Sequence, residues 1–221
     1  MAVLDHTERK IIKKISLLHA ISLQDSHLDA LGLYLDELIR WNHRMNLIGV
    51  DSRERIIQEL LIDSLLPAPF LPETGTLLDV GSGAGFPAIP LKIYLSGLDF
   101  HLMESQAKKT SFLKQAIRLT GLKKTTVLHG RVERDTHLLR GEGYHAVTAR
   151  AVANMAKTIS WCAPHLKRGG KLLCFAGEHA DDRLRDVSDL LQKLGMMITT
   201  KKPYLLPGMR KKRHLIVLEK K

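Results

Sequence analysis

Cysteine is scarce in this chain of 221 residues, which holds only Cys162 and Cys174. Two thiols at that spacing form neither a disulfide framework nor a zinc ligand set, so a reduced, cytoplasmic protein is expected. No stretch approaches about 18 consecutive apolar residues, which excludes a membrane-spanning helix. Residues 1–14 are polar and charged and lack the apolar segment of a secretory leader. Aromatic residues reach only 5%, too few for a base-stacking platform of the single-strand-binding kind. No internal repeat or low-complexity segment is visible, so solenoids and arrays drop out. The 11 histidines are scattered, with none at helix-face ligand spacing around an acid, and no metal site is expected.

Positive charge is abundant. Lys and Arg number 34 against 23 Asp and Glu, a net of +11. The first 70 residues carry 8 basic and 10 acidic side chains, and the remainder carries 26 and 13. An excess concentrated in residues 71–221 suits a polyanion, with nucleic acid the first candidate. A surface kept basic for solubility is the plainer alternative. Hydrophobic residues at 44% supply enough apolar surface for a core. The length fits one domain with a smaller appendage.

The first 70 residues read as helical. Leu28, Leu31, Leu35, Leu38, Ile39 and Met45 follow the helical period after an N-cap at Asp25 or Ser26. Ile11, Ile12, Ile15 and Leu18 mark a shorter amphipathic stretch before them, and Ile56, Ile57, Leu60, Leu61 and Leu65 one after. Three prolines between Pro67 and Pro72 end that pattern and place a boundary. Residues 1–70 are thus expected to form an N-terminal helical region and 71–221 a second domain. From there, strands at Thr76–Val80, Asp99–Met103, Thr125–Leu128, Ala146–Thr148 and Lys171–Phe175 alternate with helices at Ile89–Leu95, Lys108–Leu119, Met155–Leu166 and Asp181–Leu194. Met196–Leu206 and His214–Leu218 are strand-like on either side of Pro207-Gly208. Alternation predicts an α/β fold whose sheet is mainly parallel and covered on both faces, and the closing strand pair predicts an antiparallel edge.

The sharpest local signal is Leu77-Leu-Asp-Val-Gly-Ser-Gly-Ala-Gly-Phe-Pro87, where the first strand turns into the first helix. Gly81, Gly83 and Gly85 let the backbone turn tightly and approach a ligand. The carboxyl end of such a strand is where open α/β sheets bind ligands. A dinucleotide fingerprint would place glycine where Phe86 stands, so the spacing argues against a pyrophosphate and disfavours a nicotinamide dehydrogenase. Asp79 precedes the turn, and Glu104 ends the second strand, where a carboxylate can accept hydrogen bonds from both ribose hydroxyls. A tight strand–helix turn with an incidental acid is the plain alternative. Cys162 and Cys174 fall in apolar segments and read as packing. Trp41 suits packing better than base stacking at its helix position. Lys201, Lys202, Lys220 and Lys221 read as solvated, and Arg210 to Arg213 as a further cationic stretch.

Together these residues resemble the cofactor site of class I S-adenosylmethionine-dependent methyltransferases, with their Rossmann-like sheet. At a closer level the chain resembles the bacterial RsmG/GidB (glucose-inhibited division B) family of small-subunit rRNA methyltransferases. The resemblance runs through Trp41-Asn42, Asn46-Leu47, Asp63-Ser64-Leu65, Asp79 to Leu91, Lys108-Lys109, Phe112-Leu113, Arg131-Val132-Glu133, Arg150-Ala151 and Arg213-His214-Leu215. It implies methyl transfer from S-adenosylmethionine, giving S-adenosylhomocysteine, to N7 of guanine 527 (rRNA numbering) in the 530 loop of 16S rRNA. It also implies that Asp79, Gly81, Gly83, Gly85, Phe86, Glu104, Val132, Glu133 and Arg150 serve the cofactor. Val132 and Glu133 would hold the adenine region. Arg150 would stand near the methyl-transfer site as the catalytic candidate, and Lys108, Lys109, Arg131 and Arg213 would meet RNA. The partner is then 16S rRNA or the small ribosomal subunit, with no membrane, and nothing in the sequence demands more than a monomer. Leu60, where relatives often have His, and Ala176-Gly177, where they often have Lys-Gly, depart from the pattern. Two other readings stay open: a methyltransferase acting on a small molecule or protein, and a non-catalytic RNA-binding protein on the same fold.

Overall fold

Apolar side chains at every third or fourth position make the N-terminal part helical, and caps set where each helix starts. The computed structural model describes residues 4–150 and 154–221, so Ala151 of the Arg150-Ala151 pair lies outside the described residues. Helix α1 (His6–Leu18) opens on Asp5, whose carboxylate accepts the Glu8 N–H while the Glu8 carboxylate accepts the Asp5 N–H. Helix α2 (Asp25–Met45) starts one residue earlier than an N-cap at Asp25 would set it, and two earlier than one at Ser26. Gln24 is its N-cap, and the Gln24 N–H donates to His27 Nδ1 at 3.1 Å. Burial holds the His27 pKa low, which keeps that nitrogen an acceptor. Asp25 instead occupies the first turn, where its charge suits the helix dipole, and pairs with Lys13 at 2.7 Å. Helix α3 (Arg53–Arg55), a π-helical turn (Ile56–Leu61) and α4 (Ile62–Leu65) follow one another without a break.

Seven strands form one sheet: β1 (Gly75–Val80), β2 (Leu98–Glu104), β3 (Thr125–His129), β4 (Tyr144–Ala149), β5 (Leu166–Ala176), β6 (Met196–Tyr204) and β7 (Arg213–Lys220). Their order is β3-β2-β1-β4-β5-β7-β6. The first five are mutually parallel, and β7 runs antiparallel to both β5 and β6. The expected α/β architecture with an antiparallel edge is therefore present. Helices α5 (Ala88–Tyr94) and α6 (Ala107–Thr120) pack with α1 to α4 on one face, in a core shared with Leu77, Phe100 and Leu102. Helices α7 (Met155–Cys162), α8 (Ala180–Arg185) and α9 (Ser188–Lys193) cover Leu78, Val80 and Val147 on the other. Neighbouring residues of β1 thus enter opposite cores, as a strand buried on both faces requires.

Two helices differ from expectation. The helix foreseen over Met155–Leu166 stops at Cys162, and after a 3-10 turn Leu166 already belongs to β5. There the partner register jumps from Tyr144↔Leu166 to Ala146↔Lys171, and Gly169-Gly170 lie within the irregularity. A Cβ on Gly170 would stand 2.8 Å from the Lys167 carbonyl oxygen and 2.9 Å from that of Tyr144, so a side chain is excluded. The helix foreseen over Asp181–Leu194 is two helices, because the Val187 N–H turns back to the Leu184 carbonyl three residues earlier. No helix among the described residues is long and apolar enough to cross a membrane.

Because α2 shares its core with the sheet, both should unfold together. Leu35 is fully buried, and Leu35→Ala is expected to lower stability by about 2–5 kcal/mol. Denaturant melts followed by Trp41 alone (in α2) and by Trp161 alone (in α7) should shift to one common midpoint. Two separate midpoints would show that the helical layer unfolds independently.

Candidate active site

Strand ends converge on Glu104, which is 5% exposed. Its Oε2 accepts the Gly83 N–H at 2.8 Å and its Oε1 accepts the Gln106 N–H at 2.7 Å. Its backbone carbonyl takes the Gly130 N–H at 3.0 Å, which draws in the loop after β3. The Gly81 and Ser82 N–H groups both donate to the Met103 carbonyl, at 2.9 and 3.0 Å, and fasten the turn after β1 to the end of β2. Gly83 adopts φ +58°, and a Cβ there would meet nothing nearer than 3.8 Å, so its outer side is open space. Gly85 is glycine for a different reason: at φ +95°, a Cβ would stand 2.6 Å from Ile89 Cδ1 and 3.2 Å from Leu113 Cδ2. The turn is held from behind by Tyr34 of α2, whose hydroxyl donates to the Ala84 carbonyl at 2.6 Å.

A cavity of about 280 Å³ opens beside this turn, lined by Gly81, Gly83, Glu104, Lys109, Arg131, Val132 and Glu133 together with Val80, Met103 and Trp161. Seven of the residues singled out from sequence thus meet at one place. Its walls combine apolar side chains with a carboxylate whose two oxygens keep spare lone pairs. That set fits an adenosyl group, with apolar contact for the base and an acceptor for ribose hydroxyls. Trp161 had no sequence signal, because its position in α7 looks like packing. Gly85 and Phe86 lie elsewhere. Phe86 turns into the core and packs edge-on against Tyr34 at 5.4 Å between centroids. Lys108 caps the C-terminal end of α2, its Nζ donating to the Met45 carbonyl at 2.8 Å. Arg131 stands 3.7 Å from Glu133.

Asp79 is the penultimate residue of β1, beneath the turn, and is 1% exposed. Its Oδ1 accepts the Thr148 hydroxyl at 2.7 Å, while Oδ2 has no hydrogen-bond partner among the described residues. Burial is the main cause that lifts its pKa to about 7, against the pull of the Thr148 hydroxyl.

A second cavity of about 360 Å³ lies at the ends of β4 and β5, lined by Asp63, Arg150, Phe175, Ala176, Gly177, Arg183, Arg213 and neighbours. Arg150 and Arg213 therefore stand here rather than beside Glu104. Arg150 donates to the Glu59 carbonyl at 3.2 Å, and both arginines lie 3.3 Å from Asp63 Oδ2. The departure at Ala176-Gly177 falls on this cavity wall. Cys174 also lines it, but burial pushes its thiol up to about 12, and that of Cys162 rises as well. Neither is a thiolate at neutral pH.

Residues 27–216 match the profile of the family described as rRNA small subunit methyltransferase G (GidB). The chain is 34% identical over 204 residues to the ribosomal RNA small subunit methyltransferase G of Alkaliphilus metalliredigens, covering 90% of this chain and 84% of that one. It is 36% identical to the Chloroflexus aggregans protein of the same name, covering 97% and 90%. Among solved structures, M. jannaschii TYW2 in complex with AdoMet superposes with a TM-score of 0.59 at 16% identity, over 72% of this chain and 75% of that one. That likeness is one of fold.

The pKa of Asp79 has a consequence for stability. The unfolded chain releases this proton near 3.8 and the folded protein near 7, so between those values the folded state holds more protons and loses stability as pH rises. Asp79→Asn lacks this slope. The variant's stability relative to the parent is expected to grow from pH 4 to 7, by at most about 4 kcal/mol, and then level off. Denaturant melts of both proteins across that range check it; a difference independent of pH would show that Asp79 is ionised throughout.

Proposed function

The chain belongs to the rRNA small subunit methyltransferase G family, and on that premise we propose that it methylates N7 of guanine 527, in the 530 loop of 16S rRNA, using S-adenosylmethionine. It is a methyltransferase. The observation that carries the cofactor assignment is the cavity between Gly83 and Val132 with Glu104 at its base. S-Adenosylmethionine supplies an electrophilic methyl group on sulfur and leaves as S-adenosylhomocysteine.

Glu104 accepts the ribose hydroxyls while keeping its bonds to Gly83 and Gln106. Val132 and Trp161 enclose the base, and Glu133 lies at its edge. Asp79, with one unpartnered oxygen under the turn, offers an acceptor to the methionine portion. Gly81 and Gly83 admit the ligand to the backbone, while Gly85 and Phe86 support the turn from inside the core. Arg150, at the end of β4, stands on the side where the target base approaches.

Guanine N7 carries a lone pair and no proton, so no side chain has to act as a base to create the nucleophile. The residues instead hold two reactants in line, which can supply a large share of the rate. The two buried, protonated cysteines agree with a route that needs no covalent intermediate. Lys109, Arg131 and Arg213 meet RNA phosphates, as does Lys108 through donors left over from the Met45 carbonyl. The enzyme acts as a monomer, with residues 1–70 as its helical region and 71–221 as its transferase domain.

Glu104→Ala is expected to weaken S-adenosylmethionine binding by about tenfold or more, a charged acceptor being lost, as read by calorimetry. Unchanged affinity would refute the cofactor site. Chemical cleavage at 7-methylguanine should show guanine 527 modified in rRNA from cells with this gene and unmodified without it. Transfer of label only into protein or a small molecule would instead favour another substrate.

A further inference from the structure

Asp63 is the one carboxylate among the residues lining the second cavity, whose wall also holds three guanidiniums: Arg150, Arg183 and Arg213. It comes from α4, in the run Leu60-Leu-Ile-Asp-Ser-Leu-Leu66, and is 0% exposed. A carboxylate so buried must be paired. Its Oδ1 accepts the Tyr204 hydroxyl at 2.6 Å, which fixes the plane of the group. Its Oδ2 is shared by Arg150 Nη2 and Arg213 Nη1, each at 3.3 Å. One negative oxygen thus holds together two cations that would otherwise repel. Tyr204 ends β6 and Arg213 begins β7, so the same carboxylate ties their hairpin to α4 and to the end of β4.

The pairing is unbalanced. Each guanidinium has five N–H donors, and Asp63 engages only one nitrogen of each. The remaining donors give the cavity a net positive charge, which suits an anion with several oxygens. A guanine that becomes cationic on methylation is a poor partner for two arginines, whereas the phosphate beside it is a good one. A nucleotide drawn out to bring its N7 in line with the methyl group needs an anchor for its backbone.

We propose that Asp63 is a positioning residue that gathers Arg150 and Arg213 into one site for the phosphate of the target nucleotide. The inference rests on the methyl-transfer reading above and assigns Asp63 no contact with RNA.

The test compares the parent with Asp63→Asn, which keeps an acceptor for Tyr204 and removes the charge. Affinity for S-adenosylmethionine should stay within about twofold, while the KM for small-subunit rRNA rises about tenfold or more and direct rRNA binding weakens in parallel. A purely structural role would lower the melting temperature without separating these readouts. A folded Asp63→Asn protein with parental KM and rRNA affinity overturns the proposal. If that variant does not fold, Asp63→Asn/Arg213→Gln, which removes one charge of each sign, is compared with Arg213→Gln alone. The double variant should show a KM about threefold higher still, because Arg150 has lost its anchor; equal values overturn the proposal. A parent protein that binds rRNA without transferring methyl groups counts against the reaction alone. A parent that binds no rRNA counts against both.

Discussion

A parallel sheet covered by helices on both faces leaves its carboxyl edge as the place where backbone and ligand can meet. In this protein the chain passes from β1 to β2 in one direction and later returns to set β4 on the other side of β1. The crevice created by that reversal is the constraint on which the site depends. The residues around both cavities follow strands at this edge: Gly81 after β1, Glu104 at the end of β2, Val132 after β3, Arg150 after β4 and Gly177 after β5. Short loops suffice, because the sheet already brings these five points together.

Three buried acids serve that edge, and each is accommodated differently. Glu104 accepts a backbone N–H group through each of its oxygens, an arrangement that leaves both able to accept more. Asp63 is balanced by arginines and a phenol. Asp79 is compensated least, with one hydroxyl and one oxygen that has no partner among the described residues, and burial lifts its pKa to about 7. A local rule broken at the base of the candidate site's turn is where function is expected to cost stability.

Much of the first cavity was legible because its signals are short in sequence. The glycines that form the turn span five residues, and Glu104 follows at the next strand end. The alternation of strands and helices predicts their common edge. What was hidden depends on distance or on the direction of side chains. Phe86 sits in the turn yet faces inward, because Tyr34 from α2 receives it. Gly169-Gly170 fall between the expected helix Met155–Leu166 and strand Lys171–Phe175 but lie in β5, since the close approach of the Lys167 and Tyr144 carbonyls cannot be read from neighbouring residues. Asp63 entered the sequence reading only through the family resemblance, because its partner Tyr204 is 141 residues away.

The acidic balance of the N-terminal helices looks at first like an obstacle to a polyanion. The structure removes it by pairing. Glu8 and Asp36 meet Arg53, Asp25 meets Lys13, Asp29 meets Arg9, Glu37 meets Arg40 and Glu59 meets Arg55. These contacts are largely within the helical layer, so little unbalanced negative charge from it faces the sheet edge. At short range such pairs cancel, and beyond about 10 Å salt screens what is left. At the carboxyl edge of the sheet the layer places Tyr34 under the glycine turn and Asp63 between the arginines. One contact sets the shape of the first cavity and the other the charge of the second. The helical layer is therefore part of the site's construction, which is why its residues and those of the sheet share a single core.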